Sequence, residues 1–283
     1  MIAAPSIDRI ALQQSKLWRI FLQPIYGLLL LFVLIALFAP LISTHDPIDP
    51  NPANKLKPPS AEHWFGTNSY GMDIFSRVLY ATRTDFAVAL TSVMLGVAVG
   101  VPLGALAGYV GGAVDDVLMR LVEMLQSFPL FLFAIVIFAA VGSNTTNLIA
   151  IIAFVNIPVY LKLVRSVVVP IKDADFVLAA RCAGNNTTSI VIYHILPNAL
   201  GPVFAQFSLS CAYAIQIVAG LSFIGLGVEI PHPEWGSMIQ LGAGHIVFGK
   251  WWPSVFPGAA VFLAVFTLNR VGHNIRDQIM GDK

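Results

Sequence analysis

Charge is scarce in this chain. Only 11% of its 283 residues are Asp, Glu, Lys or Arg, against roughly 25% in a soluble domain. That shortage excludes a large soluble core, because the apolar runs are too long. The charges present nearly cancel, at +1 net, so a nucleic-acid partner has no electrostatic support. Cysteine is almost missing. Cys182 falls in a polar central stretch and Cys211 in an apolar run, which leaves two isolated thiols and no bridge. Met1 to Gln23 has neither an apolar core nor a small-residue cleavage site, so it reads as a cytoplasmic lead-in and not a signal peptide. The histidines (His45, His63, His194, His232, His245 and His273) show no metal-ligand spacing, so no metal site is expected. Catalytic side chains do not cluster at one depth, which argues against a membrane-embedded enzyme. A run of intramembrane carboxylates of the kind proton-coupled carriers use is also missing, and this weakens a self-sufficient ion-coupled carrier.

What the chain has in abundance is apolar length. It is 57% hydrophobic, with a mean hydropathy of +0.78. Crossing a bilayer takes about 20 apolar residues. The expected spans are Ile25–Ile42, Phe86–Val110, Val117–Val141 (entered through an amphipathic turn and interrupted at Pro129), Leu148–Val164, one within Ile190–Ile224, and Trp252–Leu268. Six spans make an all-α polytopic membrane protein with both termini on one side. With the N-terminus inside, Arg9, Lys16, Arg19, Arg120, Lys162, Arg165, Lys172, Arg181, Arg270, Arg276 and Lys283 lie on the cytoplasmic side, as the positive-inside rule requires. Three regions follow: 1–83 with the lead-in, first span and a proline-rich outer loop, 84–276 as the spanning core, and 277–283 as a cytoplasmic tail.

Gly96, Gly100, Gly104, Gly108 and Gly112 recur every four residues. On one helix they form a bare stripe, which in lipid lets another backbone approach closely. Pro102 is expected to bend this helix. Glu123, Asp115 and Asp116 are expected at the cytoplasmic entrance of the third span. Trp64, Trp235, Trp251 and Trp252 are assigned to an outer aromatic belt, and Glu234 with Trp235 to possible contact with a delivery protein. Asn144, Asn185 and Asn186 fit glycosylation sequons, a pattern frequent by chance. Gly244 to Lys250 fits the spacing of a phosphate loop, but Trp251 stands where Ser or Thr should hold magnesium.

The most informative stretch is a polar interruption, Asp173-Ala-Asp-Phe-Val-Leu-Ala-Ala-Arg-Cys-Ala-Gly184, followed by His194-Ile-Leu-Pro-Asn198. Asp173 or Asp175 can cap a short helix. Ala174, Ala179, Ala180 and Ala183 favour the helical state, and Gly184 can end it in a left-handed turn. Thr188 or Ser189 can cap the next helix, whose entry Pro197 fixes. Phe176 and Val177 supply an apolar contact. A short helix with a bare alanine face, held between two spans in the loop 165–190, suits a groove on a soluble partner. An ordinary cytoplasmic loop is the alternative at this point.

This segment resembles the coupling loop of ABC-importer permeases, in which Glu-Ala-Ala, three residues, Gly, about nine residues and Ile-x-Leu-Pro follow one another. Leu178, Ala179, Ala180, Gly184 and His194 to Pro197 keep that spacing. Leu178 replaces the Glu and His194 the Ile, so a salt bridge made by that Glu does not carry over. Glu62 to Thr67, Gly71 to Arg77 (Met72 where Arg is usual), Ala107 to Gly112, Asp116, Met119-Arg120, Leu221 to Gly227, Pro233 to Gly236 and Arg276-Asp277 are similar to the dipeptide, oligopeptide and nickel branch. His273 departs from the acidic residue common there. The resemblance covers about residues 15–280. It implies the type I ABC importer transmembrane fold in a bacterial inner membrane. Its expected partners are a homologous second permease, two cytoplasmic ATPases that bind ATP and magnesium, and a periplasmic binding protein. This chain then needs no cofactor of its own and is no enzyme. Asp175, Phe176, Ala179, Ala180, Arg181, Gly184 and Pro197 are the expected ATPase-coupling residues. The cargo expected is short peptides, with nickel and other small solutes open. Gly184→Pro and Ala180→Glu are expected to uncouple ATP hydrolysis from transport.

Overall fold

The structure, a computed structural model, describes residues 24–142, 144–228 and 231–281. The lead-in, with Arg9, Lys16 and Arg19, and the last tail residues lie outside the described residues. The helices are α1 Pro24–Ile42, α2 Ile74–Val110, α3 Gly112–Gln126, α4 Leu130–Val141, α5 Thr145–Ile171, α6 Asp175–Cys182, α7 Thr187–Phe223, α8 Trp235–Ala243 and α9 Trp252–Gly281. Among the described residues there is no strand, only a bridge between Thr67 and Asp73. Among the described residues, five helices (α1, α2, α5, α7 and α9) are long and apolar enough to cross a membrane.

The expected third span is a bent pair. α3 and α4 meet at 86° across Ser127 to Pro129. Pro129 has no N–H for the ladder and steers the residue before it away from helical geometry. The 12 residues of α4 rise only about 18 Å, short of the roughly 30 Å hydrocarbon core. α3 carries its apolar residues on one side, where Val117, Leu121 and Met124 stay exposed. Counting the pair as one crossing gives six spans.

The glycine series explains the main packing contact. α2 and α5 form the most extensive helix pair in the structure. A Cβ at Gly96 would lie 2.6 Å from Asn156 Cβ, at Gly100 2.7 Å from the Ile157 carbonyl, and at Gly108 2.8 Å from Val168 Cβ. Numbers rise together along both helices, so α2 and α5 run parallel, and the chain must return between them through α3 and α4. Gly112 does not belong to the stripe. The helix ends at Val110, Gly111 turns the chain, and a Cβ at Gly112 would meet nothing. α2 runs on through Pro102 as one continuous helix.

α2 also begins earlier than hydropathy suggests, at Ile74 and not Phe86. Asp73 caps it, its Oδ2 accepting from Ser76 N at 2.8 Å, and the polar residues of its first turns are buried with partners in the 43–73 loop and around the start of α8. At the other end of the chain, α9 extends past Leu268 to Gly281. Apolar side chains of α1, α4 and α9, including Leu37, Leu41, Leu132, Val136 and Phe262, remain exposed. Such an apolar rim fits a lipid environment, where the helices satisfy their own backbone.

Candidate functional site

The bundle has two polar ends. One carries α6 between α5 and α7, and the other carries the 43–73 loop and α8.

α6 is a rod of 8 residues. Its N-cap is Ala174, which offers no side-chain acceptor, so neither Asp173 nor Asp175 caps it; Asp175 sits in the first turn, where its charge favours the helix dipole. The helix closes as expected at Gly184. There φ is +84°, Gly184 N donates to Arg181 O at 3.0 Å, and Asn185 N donates to Ala180 O at 3.2 Å. Only glycine takes that turn without strain. The next helix is capped by Asn186, whose Oδ1 accepts from Ser189 N at 2.7 Å, and not by Thr188 or Ser189.

The two faces of α6 differ. Val177 and Ala180 point inward and join the buried cluster that holds Ile190 and Ile195 of α7. Ala180 is therefore not on the free face, contrary to the sequence expectation. The free face presents Asp175, Phe176, Leu178, Ala179 and Arg181. Phe176 and Leu178 are 45% and 44% exposed, a large apolar offering on so short a polar connection. Leu178 was legible only as a departure from a motif. Arg181 is tied down: Nη2 donates to Tyr109 Oη at 3.2 Å, and the guanidinium lies over that ring. Arg165 of α5 makes a two-pronged ion pair with Asp115 of α3 at the same end. α6 is thereby linked to α2 directly and to α7 through packing.

The entry into α7 is irregular for a stated reason. Residues Ile190–Ile195 adopt π geometry, with Leu196 N reaching Val191 O. Pro197 follows, and its missing N–H cannot serve the regular ladder. One-turn π insertions of this kind mark places where a helix absorbs a change of course.

The loop end is built from buried polar groups that the scarcity of charge concealed. Arg77 is fully buried, and its Nη1 donates to Pro47 O at 2.5 Å and to Pro231 O at 3.0 Å. Glu234 is buried as the N-cap of α8, accepting from Gly236 N at 2.6 Å and Ser237 N at 2.7 Å. Asp85 Oδ2 accepts from Trp235 N at 3.1 Å. Trp235 and Trp252 are interior, donating through Nε1 to Val78 O and Thr67 O. These findings correct the aromatic-belt and delivery-contact assignments for Trp235, Trp252 and Glu234; Trp64 and Trp251 stay exposed. Lys250 leans over the Trp252 ring, and Gly249 closes a single 3-10 turn, which is no phosphate loop.

Burial pushes the Glu234 carboxyl above the usual carboxylate range, against the hydrogen bonds that hold it down. Asp85→Asn keeps an oxygen for Trp235 N and removes the penalty of burying an acid that ionises in the unfolded chain. It is expected to stabilise the chain by about 1 kcal/mol or more at neutral pH. The gain should grow as pH rises above the range in which an exposed aspartate ionises, because only the unfolded chain then releases that proton freely, and it should shrink as pH falls. Melting curves from pH 5 to 8 check this; a gain that grows toward pH 5 would contradict it.

Comparison with known proteins gives consistent relatives. The model of the binding-protein-dependent transport system inner membrane component matches residues 100–279, and that of the N-terminal TM domain of oligopeptide transport permease C matches residues 26–59. A dipeptide transport system permease protein of Alkalihalophilus pseudofirmus is 38% identical over 257 residues, covering 90% of this chain and 84% of the relative. A glutathione transport system permease protein of Pectobacterium atrosepticum is 35% identical over 270 residues, covering 93% and 89%. Among solved structures, the inward-facing MetNI methionine ABC transporter matches with a TM-score of 0.54 at 16% identity, covering 70% of this chain and 96% of that one. That likeness shows the fold.

Proposed function

The chain belongs to the family of binding-protein-dependent transport system inner membrane components and is the permease subunit of an ABC importer; we propose that it forms half of a translocation path for short peptides. Its relatives of known name carry dipeptide or glutathione transport in that name, which favours peptides over nickel as cargo. The second half comes from a homologous permease. Two cytoplasmic ATPases supply the work, and a periplasmic binding protein delivers the cargo. The membrane is the bacterial inner membrane, with α6 and both termini facing the cytoplasm and the 43–73 loop facing the periplasm.

One observation carries this proposal: an apolar, solvent-facing pair, Phe176 and Leu178, on a short helix whose other face and Arg181 are fastened to the bundle. A partner seated on that face moves α6 as a rigid piece. Through Tyr109 and the α7 entry the motion reaches two spans. ATP and magnesium belong to the partners in this scheme, and this chain performs no hydrolysis.

The test is reconstitution with the sister permease, both ATPases and the binding protein. Uptake of a labelled dipeptide should be vanadate-sensitive and indifferent to ionophores. Uptake by this chain alone, collapsed by an ionophore, would overturn the proposal in favour of an ion-coupled carrier.

A further inference from the structure

Two of the histidines that sequence spacing left unrelated are brought together by the fold. His45 follows α1, His63 lies midway along the loop, and Asp73 starts α2. Their donor atoms all lie within 4.8 Å of one another. We propose that His45, His63 and Asp73 form a binding site for a divalent transition-metal ion of the zinc or nickel kind.

The geometry supports this. His63 Nδ1 is 2.9 Å from Asp73 Oδ1, and His45 Nδ1 is 3.9 Å from the same oxygen. The two imidazole rings lie 4.6 Å apart between centroids, tilted by 36°. Ligand atoms around a tetrahedral ion with bonds of about 2.0–2.1 Å sit about 3.3 Å apart. The observed separations bracket that value, so small side-chain adjustments close the site. Two imidazoles with one carboxylate suit zinc, nickel or copper, whereas magnesium and calcium prefer oxygen alone.

The surroundings are those of a held site. His63 and Asp73 are buried, at 3% and 2% exposure. Asp73 Oδ2 is fixed by Ser76 N, and His63 Nε2 lies 3.3 Å from Asn54 Nδ2. Polar partners beyond the ligands orient a metal site in this way. The third ligand, His45, lines a cavity of about 690 Å³ together with Asp46, Tyr80, Arg83 and His232. That cavity offers both an entry route and room for a fourth ligand such as water. Capping α2 requires only Asp73 Oδ2. The His45 imidazole takes no part in the cap: its Nδ1 lies 3.0 Å from the exposed Thr44 Oγ1, a contact an ion would replace, and its backbone N–H donates to Ser76 Oγ at 3.1 Å. A bound ion replaces the proton between His63 Nδ1 and Asp73 and ties the end of α1, the loop and the start of α2 together.

The test uses the complete transporter in nanodiscs, stripped by a chelator and titrated with Zn²⁺ or Ni²⁺ by calorimetry, with Mg²⁺ as the control. One ion per copy of this chain is expected, together with a melting temperature raised by Zn²⁺. His45→Gln, at a half-exposed position, should weaken binding at least about tenfold and abolish the thermal shift. Asp73→Asn, which retains a capping oxygen, should do the same. No stoichiometric ion, or equal binding in both variants, overturns the site. Neither readout requires transport, so failure here leaves the importer assignment untouched.

Discussion

Phe176→Asp should cut vanadate-sensitive uptake at least about thirtyfold while the permease still folds. Phe176 is nearly half exposed on α6, so its loss removes little from the chain's own core. In a docked complex the same position becomes a desolvated anchor. Truncating such an anchor costs about 2 kcal/mol or more, and a buried unpaired carboxylate adds to that. Leu178→Asp should behave alike. Co-purification of the ATPases with the permease, alongside uptake and melting, separates lost docking from lost folding. Normal uptake in both variants would remove α6 as the coupling element. Val177→Asp provides the contrast, since it places charge on the buried face and should lower stability itself. Ala180→Glu belongs with it: Ala180 packs inward, so this variant reports on folding first and coupling second. Gly184→Pro remains a clean test of the turn. Proline cannot adopt φ of +84° or donate to Arg181 O, and nothing crowds the site.

Gly104→Val is expected to have the largest effect on stability, a loss of about 3 kcal/mol or more. A Cβ there would lie 2.5 Å from Leu161 O and 3.0 Å from Val164 Cβ. The first of these is backbone in the middle of α5 and cannot rotate away. Overpacking typically costs about 1–3 kcal/mol even where side chains can yield. Gly258→Val in α9 is the matched control, because a Cβ at Gly258 meets no atom within 4 Å. Thermal unfolding in detergent should show a large fall for the first and a small one for the second. Equal falls would mean that the parallel α2–α5 contact does not hold the bundle together.

Much of the fold was legible because the bilayer imposes length. The spans in α1, α5, α7 and α9 announce themselves as apolar runs, and the four-residue glycine period marks where α2 meets its neighbour. Gly184 likewise had to end α6, since its place after the alanines called for a left-handed turn. Other assignments failed where a local pattern competed with packing. Hydropathy started α2 at Phe86 because Arg77 and Asp85 look like loop residues until the fold buries them with partners. Trp235 and Glu234 looked like surface groups for the same reason. Ala179 and Ala180 are identical in sequence terms, and only the seating of α6 against α7 turns one outward and the other in.

The order of residues alone determined that this protein is a helical membrane component with a short helix in a polar connection between two spans. Apolar length and small-residue periodicity act within one segment, so they can be read from one segment. The tertiary structure decided which face of that short helix is free, that α2 and α5 run parallel with a sharply bent return between them, and that His45, His63 and Asp73 share one corner. Each of those depends on contacts between residues far apart in the chain, and neighbouring side chains carry no record of such contacts.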